Sequence, residues 1–194
     1  MERDVASANG WLQRLGLAAL MAWAGVAVAA PRESAPQVTA AEVLRLSHEL
    51  HTLATRNAWA GVERTWTALR EADDLSVTDF VVAAEAARAL GDLGASRERL
   101  LAALELEERR EIVEQLWAID MAYGAVHVTA PGPVLLEPPG ADFFPVARGA
   151  IERATSALAD SGQYQGWLPV GRYTIGNAVI DVRPGPRPIE VELR

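Results

Sequence analysis

From Thr39 to Tyr123 the apolar residues recur at steps of three and four, the spacing of one face of an α-helix. Val43, Leu46, Leu50 and Leu53 form the first face. Thr39, three residues before Glu42, is a capping-box pattern that predicts where this helix begins. After Arg56-Asn57 a second face follows (Trp59, Val62, Trp66, Leu69), closed by Asp73-Asp74. Ser76 with Asp79 marks a third start, ahead of Phe80, Ala83, Ala84, Ala87 and Leu90. The "GDLG" of Gly91 to Gly94 interrupts that helix, and Leu100, Ala103 and Leu104 carry a fourth stripe. A fifth helix is expected over Arg109 to Tyr123, with Ile112, Leu116, Ile119 and Tyr123 on one side.

The first four faces form two pairs. With Asn57 set against Gly91 they overlay at 34 residues: Leu46 falls on Phe80, Leu50 on Ala84, Trp59 on Leu93 and Trp66 on Leu100. A fixed period of this length is the mark of stacked helical hairpins. The segment "AARALGDLGASRERLLAALEL" resembles the tetratricopeptide repeat, with small residues where paired helices touch, "GD" in the turn between them and an A-L-E-L close. The resemblance covers about residues 43–108 and implies antiparallel helix pairs whose groove takes a protein or peptide partner; an ordinary antiparallel helix bundle is the alternative. A repeat array must cover the apolar face of its last unit. The fifth helix is therefore expected to be a cap, packed near Leu116 and Trp117 on the segment that follows.

After Gly124 the pattern changes. "AVHVTAPGPVLLEPPG" alternates apolar and polar residues and is then punctuated by Pro131, Pro133, Pro138 and Pro139, which reads as two short strands with turns. Ala147 to Asp160 is an amphipathic helix with Ile151, Ala154 and Leu158 inward, stopped at Gly162. In "GWLPVGRYTIGN", Gly166, Pro169 and Gly171 predict a tight turn that leaves Trp167 exposed. Tyr173 and Ile175 alternate with Arg172 and Thr174, and Gly176-Asn177 suits the positive φ of a hairpin turn. "AVIDV" and then "IEVEL" complete an expected three-stranded antiparallel meander. The line "GWLPVGRYTIGN…IDVRPG…IEVEL" resembles the closing half of PEGA and carboxypeptidase-regulatory-like β modules, in which an "LP-x-G-x-Y" turn feeds a strand pair. That resemblance implies a small accessory β-domain of an exported protein.

An address precedes the helices. Leu15 to Ala29 are all apolar or Gly and end in Ala27-Val28-Ala29, small residues at the positions a signal peptidase inspects, with Arg32 and Glu33 beyond. The run is shorter than the ~20 residues of a membrane-spanning helix. It is expected to be a signal peptide cleaved after Ala29; the alternative is a buried Ala/Leu helix of a cytosolic protein. Half of the 194 residues are apolar, enough for a core and against disorder. The net charge of −8, with 18 basic residues scattered among acids, disfavours nucleic acid. The absence of cysteine removes disulfides, thiolate catalysis and Cys-based zinc sites.

Candidate chemistry is sparse. His48 and His51 in "HELH" stand at i, i+3 rather than the i, i+4 of a zinc-protease helix, and His127 has no acidic neighbour in sequence. Asp73, Asp74 and Asp79 cluster between helices and could supply a glycosidase pair, although capping explains Asp79 more simply. Trp59 and Trp66, two turns apart, fall at packing positions of the repeat overlay. Trp167, Tyr164 and Tyr173 are the candidate partner contacts; no catalytic, cofactor or metal residue is expected. The expected architecture is α+β: a signal peptide (1–29), an antiparallel helical-hairpin array with capping helix (30–123), and a small, mainly antiparallel β unit with one helix (124–194) packed on it. The expected function is that of an exported, non-catalytic interaction or scaffold protein, periplasmic or secreted, binding a protein or peptide of the cell envelope. It would touch a membrane only through an uncleaved leader. The alternative is a protein that binds or hydrolyses envelope glycans such as peptidoglycan.

Overall fold

The computed structural model describes residues 39–194 apart from 73, 141 and 142; the leader at 15–29 and Asp73 lie outside the described residues. The described residues belong to one compact unit. Among the described residues five helices come first: α1 (Ala40–Thr55), α2 (Trp59–Leu69), α3 (Val77–Ala89), α4 (Leu93–Leu106) and α5 (Arg110–Ala122). They follow the apolar periodicity, and side-chain caps from Thr39, Ser76 and Asp92 mark the starts of α1, α3 and α4. Ser76 and Asp79 form a complete capping box at α3. At α1 only half of the expected box forms: the Thr39 hydroxyl accepts from the Glu42 N–H, while the Glu42 carboxylate turns outward to Arg45 at 2.7 Å. On that exposed turn the guanidinium offers a charged partner in place of one backbone N–H.

The hairpins recur. α1 ends at Thr55 and α3 at Ala89, α2 begins at Trp59 and α4 at Leu93, so both boundaries repeat after 34 residues. Asn57 and Gly91, also 34 apart, both take left-handed backbone, with φ of 54° and 78°. Consecutive helices pack on one another, and α1 also reaches α3. Leu50, Val62, Trp66, Leu69 and Ala83 are buried in the core of this first lobe. Gly91 also meets α6 (Pro145–Ser161): a β-carbon there would stand 2.5–2.8 Å from the main chain of Gly149 and Ala150, which no side chain could relieve. The α3–α4 turn is thereby seated on the C-terminal half.

That half contains β1 (Tyr123–Thr129), β2 (Leu136–Glu137), α6, β3 (Gln163–Pro169), β4 (Gly171–Ile175), β5 (Ala178–Val182) and β6 (Gly185–Glu192). The expected pair of early strands and the helix are present, and Ile151, Ala154 and Leu158 face inward as their spacing predicts. β4 and β5 form the expected hairpin, with Ile175 opposite Ala178 across a two-residue turn. Gly176 alone takes positive φ (58°), so the turn needs only one permissive residue rather than both.

The third strand of the expected meander goes elsewhere. β6 leaves the hairpin and pairs in parallel with β1, so the strands divide into one sheet of order β3-β1-β6 and another of order β2-β4-β5. Alternation in "IEVEL" sets which residues face inward (Val191 buried, Glu190 and Glu192 exposed) but carries no information about the neighbouring strand. Pro186 and Pro188 within β6 fit its edge position, because proline has no N–H to give a second neighbour. The two sheets and α6 enclose a common core including Val126, Leu158, Leu168, Tyr173 and Ile175.

The two halves meet without a spacer, since α5 ends at Ala122 and β1 starts at Tyr123. Tyr123, expected on the helical face, therefore opens a strand. A further cluster unites Leu100, Ile112, Leu116 and Ile119 with Ala125, Ala150 and Trp167. Leu116 packs as expected, but Trp117 does not: it points outward and is 66% exposed.

Candidate functional site

The β3-β1-β6 sheet has one face on the α6 core. Its other face carries Tyr123, Ala125, His127 and Thr129 on β1, opposite Pro169, Trp167, Gln165 and Gln163 on β3. The helical array covers the Ala125–Trp167 end and leaves the His127 end open. A groove of about 540 Å³ lies at that boundary. One wall is the first two turns of α4 (Asp92, Gly94, Arg97, Glu98), the other is β6 (Pro186, Pro188, Glu190), and Ala125 and Trp167 lie beneath.

The candidate contacts are placed differently from expectation. Trp167 sits in β3 rather than in an exposed turn and is only 9% exposed. The glycine that suggested a turn serves packing instead: a β-carbon at Gly166 would lie 2.6 Å from Tyr164 Cζ, so the tyrosine ring lies along the strand over it. Tyr164 and Tyr173 are core residues whose hydroxyls donate to the Trp167 and Pro169 carbonyls at 3.2 and 2.9 Å. Burial pushes the Tyr164 phenol up to about 12 and raises that of Tyr173 as well. Neither tyrosine offers a contact surface; each stabilises the strand behind the groove.

Trp167 does line the groove, by an edge. The Arg97 guanidinium stands 5.6 Å from its ring centroid and covers one face, while forming a two-pronged pair with Asp120 of α5 at 2.8 and 3.2 Å. The Gly94 side of α4 lies against its Cδ1 and Nε1. Among the described residues the indole N–H makes no hydrogen bond, and no fully occluded side-chain polar atom lacks a partner, so this N–H opens into the groove. Beyond it a polar row crosses all three strands: Gln165, His127 and Glu190, with His127 Nδ1 2.8 Å from Glu190. Sequence reading passed over Arg97, Gln165 and the His127 partner. The only signal for the last was that "HVT" and "EVE" alternate alike, which matters only once the two strands are known to be neighbours.

A second polar group lies at the α1–α3 junction. Asp79, 3% exposed, accepts from Ser47 Oγ at 2.6 Å, from the Ser76 N–H at 3.0 Å and hydroxyl at 2.6 Å, and contacts His51 Nε2 at 3.1 Å. Ser47 and Ser76 both turn to the carboxylate rather than to the histidine. Burial pushes the Asp79 carboxyl upward, but the hydrogen bonds from Ser47, Ser76 and His51 outweigh it and hold the group below the usual aspartate range. A carboxyl whose folded pKa is depressed contributes stability that is present above its unfolded value of 3.8 and is lost as pH falls through the folded value. Asp79→Ala is expected to cost about 2–3 kcal/mol at neutral pH, through the lost cap and an unsatisfied Ser76 N–H. Urea denaturation at pH 7 and at pH 3 tests this: the gap between wild type and variant should narrow at the lower pH.

Compared with protein-family models, with characterised proteins and with solved structures, the chain matches none. Among the described residues no helix is long and apolar enough to cross a membrane.

Proposed function

We propose that the protein is an exported, non-catalytic interaction module of the cell envelope, and that the groove between α4 and the β3-β1-β6 sheet receives a polypeptide partner. The observation that carries this reading is the indole of Trp167, a largely buried side chain that lines the groove and whose N–H makes no hydrogen bond among the described residues. With no protein partner, that N–H takes its acceptor from whatever fills the groove, water or a ligand. A main-chain carbonyl is such an acceptor. The helices are read as two tetratricopeptide-like units with a cap, on the 34-residue recurrence of helix bounds and of the left-handed residues Asn57 and Gly91. A peptide reading is favoured over a glycan platform because sugar stacking needs an open indole face, and Arg97 lies over this one.

Site-specific photo-crosslinking in cells tests the assignment. A photoreactive residue at Gln165, exposed in the groove, is expected to trap a discrete polypeptide, whereas one at Glu71, remote on the helical array, is not. Trapping at neither position, together with retention of the protein on purified peptidoglycan, would establish the glycan reading instead.

Export is proposed on the apolar run Leu15–Ala29 and its Ala27-Val28-Ala29 exit. Mass spectrometry of the mature protein is expected to find Ala30, or a residue within a few positions of it, at the N-terminus. An intact Met1 in a soluble cytosolic pool would contradict it.

A further inference from the structure

Resting on the peptide-groove reading, we infer that the occupant is an extended segment bearing lysine or arginine. The groove lining contains the carboxylates of Asp92, Glu98 and Glu190 and a single guanidinium, that of Arg97. Arg97 is already neutralised by Asp120, and Asp92 has Arg153 at 3.6 Å. Glu190 is shared only with an imidazole, and Glu98 has no cationic partner among the described residues. The two exposed carboxylates left over stand on opposite walls, one on α4 and one on β6, and the Trp167 indole lines the same groove. A ligand that satisfies all three must offer both an acceptor and positive charge, which a peptide carbonyl with basic side chains near it does.

The same features select against other occupants. A carboxylate ligand could accept from the indole N–H but would face Glu98 and Glu190. A second copy of this chain, at −8, would bring further acid to an acidic groove. Addition of a strand to the β6 edge is opposed by Pro186 and Pro188, so the segment lies across the sheet between the walls and does not extend it. A volume of about 540 Å³ lies within the roughly 300–1,000 Å³ range of ligand-binding clefts.

The test reads the indole directly. In the ¹⁵N-labelled protein the Trp167 side-chain N–H cross-peak is assigned as the one lost in Trp167→Phe. It is then followed while the protein is titrated with the capped hexapeptide Ac-Gly-Lys-Pro-Gly-Lys-Gly-NH2 or its counterpart with glutamate for lysine. The lysine peptide is expected to shift the peak saturably. Apparent affinity should fall as salt rises from about 50 mM to about 500 mM, and Glu98→Gln combined with Glu190→Gln should weaken it by about fivefold or more. An equal or larger response to the glutamate peptide overturns the charge assignment but leaves a peptide groove in place. A peak that neither peptide moves overturns this inference outright, and crosslinking at Gln165 then decides separately whether the groove has any polypeptide partner.

Discussion

Residues 30–123 alone are expected to melt well below residues 30–194, and over a broader range. The cause is the cluster in which Ile112, Leu116 and Ile119 of α5 share a core with Ala125, Ala150 and Trp167 of the C-terminal half. Ending the chain at Tyr123 returns part of those three side chains to water. Full burial of a side chain of this size stabilises by about 1.5–3 kcal/mol. Even half of that, taken three times, removes several kcal/mol from a domain whose whole stability is about 5–15 kcal/mol. Seating of the α3–α4 turn on α6 at Gly91 and Gly149 is lost as well. Circular dichroism or calorimetry on the two chains decides it. If the shorter chain has the same midpoint, and the same sharpness for its size, the halves are independent and the shared cluster adds nothing.

Trp66→Ala is expected to cost about 3–5 kcal/mol, the range for removing a large aromatic from a packed interior. Trp66 is 4% exposed and meets Phe80 edge-on at 5.1 Å between centroids. Arg99 lies 5.3 Å over its ring, held there by two bonds to Glu63 and one to the Ala83 carbonyl, each 2.5–2.7 Å. The indole thus joins α2 to α3, and its guanidinium lid joins α4 to α2. Trp66→Phe keeps most of the volume and should cost much less. Denaturant midpoints of the three proteins test this; an unchanged midpoint for Trp66→Ala would place the residue at a surface instead of in the core.

The helical half was legible because each helix is a local object. The apolar stripe of each helix, and the capping residue at α1, α3 and α4, lie within about fifteen residues of one another, and the 34-residue offset followed from their spacing. The β half was legible only as far as contacts are local. The β4–β5 hairpin announces itself through Gly176-Asn177, whereas the pairing of β6 with β1 joins residues more than sixty positions apart and leaves only an alternation that any partner would satisfy. Trp167 was misjudged for a related reason. Its Gly and Pro neighbours read as a turn, but Gly166 is required by the Tyr164 ring and Pro169 merely ends a strand. Arg97 could not be singled out at all, since the partners that give it meaning, Asp120 and Trp167, come from an adjoining helix and from the sheet.

The parallel pairing of β1 with β6 also sets the timing of folding. β1 is the central strand of its sheet, yet one of its two neighbours is Gly185–Glu192. α1 to α4 can form and pair while later residues are still being made, because their contacts are between consecutive segments. The β3-β1-β6 sheet cannot close until residue 192 is available. Up to that moment one edge of β1 is open, and the Val126 and Val128 face lacks its cover from Ile189 and Val191. The strand that completes this core is thus the last of the described elements to be made, and the core stays unsealed until it arrives.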